Sequence, residues 1–376
     1  MCIFPLSQEE LENLKNFKYK STNESLLYNS CMSPFLNKVV NFLPYCLAPN
    51  IITLISLFFN IFAAVISYKD GGFDFSLKLK PSTCLKVGVF QLIYILLDNI
   101  DGKQARRTGN STPFGMLMDH GCDIFTNILT AFNLSKLLIV GNNYYYSYTV
   151  FFGLFLGFYM MTYEEYKLEE MHFPAINGSD EGNFFIFLLG VFLYFFGPNY
   201  MLRKVSEDYQ ITVGQLIGII VVFGGFICVF NLYLHTYDKK GGREMSKIFL
   251  DNIPFYSSIF VPMLYIAFNL DFYKENKWIV LCNASLIFAR ITIDIQVKII
   301  TMGNLTCNVM FIISNFIFIT SLFVHIDIIK LYYLILLFVT QIVELVIFIY
   351  RRAKEITDFL EIKIFCINYN NQLYQV

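Results

Sequence analysis

An all-α, polytopic membrane protein is the fold this sequence predicts, and three observations predict it. The 376 residues are 56% hydrophobic and only 15% charged, with a mean hydropathy of +0.53, a balance unlike that of soluble domains. Apolar stretches of about 20 residues, the length that crosses a bilayer, recur about ten times. Four aspartates, Asp98, Asp101, Asp119 and Asp123, sit in or beside the second and third stretches. At membrane depth a carboxylate is costly unless it coordinates, pairs or faces a wet cavity.

The elements follow in chain order. Residues 34–47, PFLNKVVNFLPYCL, set Phe35, Val39, Phe42 and Leu43 on one side. Such a segment lies along the membrane surface or is an irregular lead-in. Spans are expected at 49–68, 86–107, 113–138, 144–166, 182–199, 211–234, 250–270, 278–299, 307–326 and 331–350. Pro113 suits the first turn of the third. The start, MCIFPLSQEELENLKNFKYK, has no basic stretch leading into an apolar run, so no cleavable signal is expected and insertion rests on the first span. The tail INYNNQLYQV is expected to be disordered.

Lysine and arginine placement sets the orientation. With the N-terminus in the cytosol and ten spans, the cytosolic segments hold about 17 of the 28 basic residues and the opposite side about 10, with Arg290 inside a span. Net charge is −1, so no nucleic-acid partner is expected. The nine cysteines show no C-x-x-C pair, so neither a zinc ribbon nor a disulfide framework is indicated. The expected organisation is residues 1–48 as a cytosolic N-terminus with the interfacial helix, 49–235 as the helical bundle that carries the four aspartates, 236–351 as C-terminal transmembrane helices and 352–376 as a cytosolic tail.

The window 98–123, DNIDGKQARRTGNSTPFGMLMDHGCD, concentrates the chemistry. Asp98 and Asp101 are three apart and Asp119 and Asp123 four apart, so each pair shares a helix face. Two such faces turned together surround one small volume with oxygens, a site for two hard divalent cations, Mg²⁺ or Mn²⁺. Gly102 and Ala105 leave room for a ligand to approach the backbone. Gly115, four before Asp119, lets a neighbouring helix come close. Lys103, Arg106 and Arg107 flank the carboxylates, as phosphate ligands or as topogenic charges. His120, three before Asp123, borders the same face. Its imidazole suits general-base work near neutral pH, or it orients Asp123 by a hydrogen bond. Glu164 and Glu165 close the fourth span beside Tyr163 and Tyr166. They form either a partner for an ammonium group or a solvated helix end. Arg290 and Asp294, four apart inside a span, read as an intrahelical ion pair or as part of a substrate path. His172, His235 and His325 stand alone in the sequence.

This window resembles the signature of the CDP-alcohol phosphotransferases, D-x2-D-G-x2-A-R-x8-G-x3-D-x3-D, at all eight fixed positions: Asp98, Asp101, Gly102, Ala105, Arg106, Gly115, Asp119 and Asp123. Chance alone gives such a match on the order of once in ten billion windows. GKQARRT and DHGCD are similar to the eukaryotic choline/ethanolamine phosphotransferase branch, as are APNIIT at 48–53, TYEEY at 162–166, INGSDEG at 176–182 and FARIT at 288–292. Tyr163 departs from the tryptophan common in those relatives.

The resemblance implies a catalytic bundle formed by the first six helices. It implies metal ligation by Asp98, Asp101, Asp119 and Asp123, and a phosphate contact for Arg106. It sets Asn50 and Thr53 beside the pyrophosphate, although Asn50 is equally a helix cap by residue type. It points to Asp123 as the base, against which the imidazole of His120 is the rival. Further expected substrate contacts are Gly102, Lys103, Ala105, Gly115 and Glu164. The implied reaction moves phosphoethanolamine, phosphocholine or both from the CDP-alcohol to diacylglycerol, yielding the phospholipid and CMP. Its expected setting is the endoplasmic reticulum or another endomembrane, with the site near the cytosolic face. A homodimer is left open. The rivals are a CDP-diacylglycerol-dependent enzyme with inositol, serine or glycerol phosphate as acceptor and, from another class, a divalent-cation transporter.

Overall fold

Helices account for nearly all of the architecture. The computed structural model describes residues 5–142, 144–205, 210–241, 243–305 and 309–367. Most of the tail read as disordered, 368–376, lies outside the described residues. Along the chain run α1 (Gln8–Asn16), β1 (Ser21–Asn23), α2 (Ser33–Val39), α3 (Pro49–Gly71), α4 (Pro81–Thr108), α5 (Pro113–Leu138), α6 (Tyr144–Leu168), β2 (Met171–Phe173), α7 (Asn183–Phe196), α8 (Val213–Lys240), α9 (Arg243–Asp251), α10 (Ile253–Phe268), α11 (Leu270–Thr301), α12 (Val309–Ser321) and α13 (Asp327–Leu360).

All ten expected spans fall on helices. Among the described residues, six helices are long and apolar enough to cross a membrane: α3, α4, α7 with its preceding turn, α8, α11 and α13. Helix α5 has 26 residues and carries Asp119, His120, Asp123 and Lys136, and α6 has 25. Both are long enough to span. Helices α10 and α12, at 16 and 13 residues, are shorter than the roughly 20 residues a span needs. The local signals for the termini are plain. Pro49, Pro81 and Pro113 each occupy the first turn of their helix, where a missing N–H costs nothing. Thr112 caps α5 by accepting from the Gly115 N–H at 3.0 Å. Gly109 closes α4 at φ +64°, a conformation open to glycine.

Small residues let the helices approach. A Cβ at Gly190 in α7 would lie 2.5 Å from the Cys84 carbonyl in α4, and one at Gly88 would lie 2.8 Å from the Phe187 carbonyl. Polar side chains then join four helices across the bundle. Asn60 of α3 donates to Gln91 of α4 (3.3 Å) and to Thr130 of α5 (3.2 Å), and Gln91 donates to Asn183 of α7 (2.8 Å). Without water, such groups must satisfy one another. Helix α11 is the most enclosed of the spans and α8 the least. Phe223, Phe226 and Phe230 of α8 face outward, as a lipid-facing stripe should.

The segment 34–47 is largely helical. Leu36 and Val40 pack inward, while Phe35 and Phe42 are exposed. β1 and β2 form a two-stranded parallel sheet with Thr22 opposite His172. That sheet ties the N-terminal segment to the end of α6. Helix α13 runs unbroken past residue 351 to Leu360, and the chain beyond it turns back to the bundle, where the Asn50 side chain donates to the Ile364 carbonyl at 2.7 Å.

Candidate active site

The carboxylates meet where α4 ends and α5 begins. Asp98 and Asp101 lie in the last three turns of α4, and Asp119 and Asp123 in the first three of α5. One carboxylate oxygen each from Asp98, Asp119 and Asp123 lie within 4.8 Å of one another. Asp101 completes the group differently: its carboxylate accepts from the Thr53 hydroxyl of α3 and lies within hydrogen-bonding reach of Asp119. Tyr94, one turn before Asp98, donates to Asp123 Oδ1 at 2.9 Å. Asp119 Oδ1 is buried with no hydrogen-bond partner. An orphaned, buried anionic oxygen among three more carboxylates needs a positive charge, and an all-oxygen donor set fits a hard divalent cation. These residues could hold such ions.

Several of the other expected site residues gather here. Asn50 Oδ1 lies near Gly115, 3.6 Å from where a Cβ there would sit. The Arg106 guanidinium folds back over Gly102, 3.5 Å from the position of the missing Cβ. A larger residue at 102 would compete with it for that space. Ala105 is half-buried one turn beyond Asp101.

His120 is buried, and its Nδ1–H donates to the Gln296 side-chain oxygen of α11 at 3.3 Å. Glu165 Oε2 lies 3.8 Å from the same nitrogen, and Tyr19 packs edge-on with ring centroids 5.7 Å apart. Sequence reasoning missed all three partners. Tyr94 was within reach of a careful reading, since it sits four before Asp98 on one helical face. Gln296 carried no local signal.

Two of the expected site residues point away from the aspartates. Lys103 does not join the aspartates. It is two residues past Asp101, about 200° around a helix, and its ammonium donates to Ser33 (3.0 Å) and Asn37 (2.9 Å) of α2. Arg107 likewise reaches the Leu43 carbonyl at 2.9 Å. Glu164 does not turn toward the aspartates either. Its carboxylate accepts from His235 Nδ1 at 2.6 Å, and it is Glu165 that faces His120. Both glutamates are buried, so the solvated-end reading fails as well. Nor do His172 and His235 stand alone, because the fold brings both to Glu164. Arg290 pairs with Asp294 at 3.5 Å, and more closely with Glu344 of α13 at 3.0 Å.

Residues 46–230 match the family model described as CDP-alcohol phosphatidyltransferase. The chain carries a CDP-alcohol phosphatidyltransferase domain. Cholinephosphotransferase 1 of Saccharomyces cerevisiae is 31% identical over 198 residues, 52% of this chain and 49% of that protein. Choline/ethanolaminephosphotransferase 1 of Arabidopsis thaliana is 28% identical over 197 residues, again 52% and 49%. Uncharacterized CDP-alcohol phosphatidyltransferase class-I family protein 2 of Dictyostelium discoideum is 30% identical over 253 residues, 66% of this chain and 59% of that protein. The matches thus span about half to three-fifths of these curated relatives. All four aspartates, Arg106, His120 and the Glu164–Glu165 pair fall inside the phosphatidyltransferase domain.

Proposed function

We propose that the chain transfers phosphoethanolamine, phosphocholine or both from the CDP-alcohol to diacylglycerol, releasing CMP. The observation that carries this reading is the convergence of Asp98, Asp119 and Asp123 within 4.8 Å inside the segment that matches the family. The acceptor hydroxyl attacks the phosphorus that bears the alcohol. A new P–O bond forms, the pyrophosphate P–O bond breaks, and CMP leaves with the bonding electrons. Two divalent cations, Mg²⁺ or Mn²⁺, held by Asp98, Asp101, Asp119 and Asp123, would neutralise charge on the pyrophosphate.

This chain's own residues do the rest. Arg106 offers a planar fork to a phosphate oxygen. Asn50 and Thr53 line the start of α3, with Thr53 fixing the Asp101 carboxylate. With its Nδ1–H given to Gln296, His120 keeps the lone pair on Nε2. That atom takes the acceptor's proton, while Tyr94 holds Asp123 in place. Diacylglycerol arrives sideways from the bilayer and the nucleotide from the cytosol, in an endoplasmic reticulum or related membrane.

The test is purified full-length chain in vesicles containing diacylglycerol, supplied with labelled CDP-choline and then CDP-ethanolamine. Phospholipid and CMP should form in equal amounts. Asp119→Ala should abolish turnover, and His120→Gln should lower kcat by about 10² or more, the scale of a lost general base. Full activity in Asp119→Ala overturns the carboxylate reading. A mild loss in His120→Gln returns the base role to Asp123. Activity only with CDP-diacylglycerol as donor and inositol, serine or glycerol phosphate as acceptor moves the chain to the rival branch.

A further inference from the structure

A second group of ligating side chains lies at the ends of α6 and α8, apart from the four aspartates. Glu164 of α6, His172 of β2 and His235 of α8 each present one ligand atom, and the three atoms lie within 4.8 Å of one another. Glu164 is buried, while the two histidines are half-buried. The chain has only four histidines, and two of them converge on this one carboxylate. Their rings stand edge to face, with centroids 5.3 Å apart at 84°. Glu24 Oε1 lies 3.9 Å from His172 Nε2. At that distance Glu24 adds negative charge beside the ring rather than a hydrogen bond.

The plainer account is a hydrogen bond from His235 to a buried carboxylate. It explains the 2.6 Å contact and leaves His172 unexplained. A second imidazole adds nothing to a carboxylate–imidazole pair but supplies the third donor a cation needs. Two imidazole nitrogens and one carboxylate oxygen are a borderline set, suited to zinc and its neighbours and unlike the all-oxygen set of the aspartates. In a tetrahedral zinc site with bonds near 2.05 Å, ligand atoms sit about 3.3 Å apart. With the three atoms already within 4.8 Å of one another, reaching that spacing asks for at most about 1.5 Å of side-chain motion, within the range of small rotamer changes in two half-buried rings.

We propose that Glu164, His172 and His235 form a binding site for a zinc-class divalent ion, separate from the aspartate centre. The ion would pin three elements together: the end of α6, the end of α8 and, through the β1–β2 pairing, the N-terminal segment. The neighbouring Glu165 faces His120, so the pin lies one residue from the environment of the proposed base. None of this depends on which alcohol the chain transfers, or on whether it transfers one.

Full-length protein in detergent is stripped with chelator, exposed to Zn²⁺ in the presence of excess Mg²⁺, dialysed, and its metal content measured. The wild type should retain one Zn²⁺ per chain and unfold at a higher temperature with it. His172→Ala and His235→Asn should each lose that ion, with affinity down at least about 100-fold, since even outer partners of a metal ligand are worth about 10- to 100-fold. Asp119→Asn should keep it. Because His172 lies half-exposed in a three-residue strand, its alanine variant should remain monodisperse even if His235→Asn does not. Wild type that retains no Zn²⁺ overturns the proposal, as does equal Zn²⁺ in wild type and His172→Ala. Loss of Zn²⁺ from Asp119→Asn alone would place the ion at the aspartates instead.

Discussion

Replacing Gly190 by alanine tests whether α4 and α7 pack as closely as the structure shows. The new Cβ would lie 2.5 Å from the Cys84 carbonyl, about 0.9 Å inside the 3.4 Å of ordinary contact, and 2.9 Å from the Gly88 Cα. Both obstacles are backbone, so neither can swing aside and the helices must separate. Overpacking of this kind costs about 1–3 kcal/mol. Alanine returns at most about 1 kcal/mol through its better helix propensity, so destabilisation wins. The Cys84 side chain belongs to the same residue and is fully buried, so its thiol becomes reachable only when the packing around α4 loosens. A net loss of about 1.4 kcal/mol from the closed packing raises the open population tenfold. Maleimide labelling of Cys84, followed by mass spectrometry on detergent-solubilised protein, should therefore speed up about tenfold, with a lower unfolding temperature. Unchanged labelling together with an unchanged unfolding temperature would refute the close approach. Asp98 and Asp101 lie further along the same α4, so the variant should also lose turnover.

Three further outcomes follow from single contacts. Tyr94→Phe removes the 2.9 Å hydrogen bond to Asp123. Bonds to charged acceptors are worth about 1.5–3 kcal/mol, so CMP release should slow about tenfold or more in a folded protein; an unchanged kcat would detach Tyr94 from the chemistry. Glu344→Ala leaves the enclosed Arg290 with the 3.5 Å contact to Asp294 as its one ion pair among the described residues, beside the Phe348 ring, and should destabilise by about 3–5 kcal/mol. The pair Arg290→Met with Glu344→Leu should recover most of that in thermal unfolding, and no recovery would show that charge is not the cause. At Glu10, burial alone would raise the carboxyl, but the Lys298 ammonium at 2.7 Å and the Ser7 N–H outweigh it and hold the group below 4.5. A depressed carboxylate contributes stability above its unfolded value, and that stability is lost as pH falls through the folded one. Glu10→Gln should thus be less stable than wild type at neutral pH, with the gap closing below pH 4.5; a gap that persists in acid would assign the effect to packing.

What could be read from the chain alone divides along a physical line. Hydropathy and helical spacing are local properties, so all ten apolar stretches were legible, and so was the pairing of Asp98 with Asp101 and of Asp119 with Asp123. Termini marked by Pro49, Pro81, Pro113 and Gly109 were legible for the same reason: cap chemistry acts within one turn. Contacts across the bundle were not. His120 meets Gln296 over 176 residues of sequence, and His235 meets Glu164 over 71, so no spacing rule links them. The same limit applies to Lys103. Its position beside the aspartates suggested a shared site, but helical geometry turns it to the far side, where α2 supplies Ser33 and Asn37.

Glu164 and Glu165 show how the same limit bears on function. Adjacent residues on a helix point about 100° apart, so a run of two acids cannot serve a single ligand in the same way. One carboxylate goes to His235 and the other toward His120. A pair that reads as one acidic cluster is thus divided between two surroundings. The proposed base draws on Glu165, Gln296 and Tyr19, from α6, α11 and the N-terminal segment. The four carboxylates come from a single hairpin of α4 and α5, whereas the surroundings of His120 require the wider bundle. Metal binding by the aspartates and proton transfer at His120 should therefore respond separately to perturbation. Loosening α11 against α5 should impair turnover while leaving divalent-ion affinity at the aspartates intact.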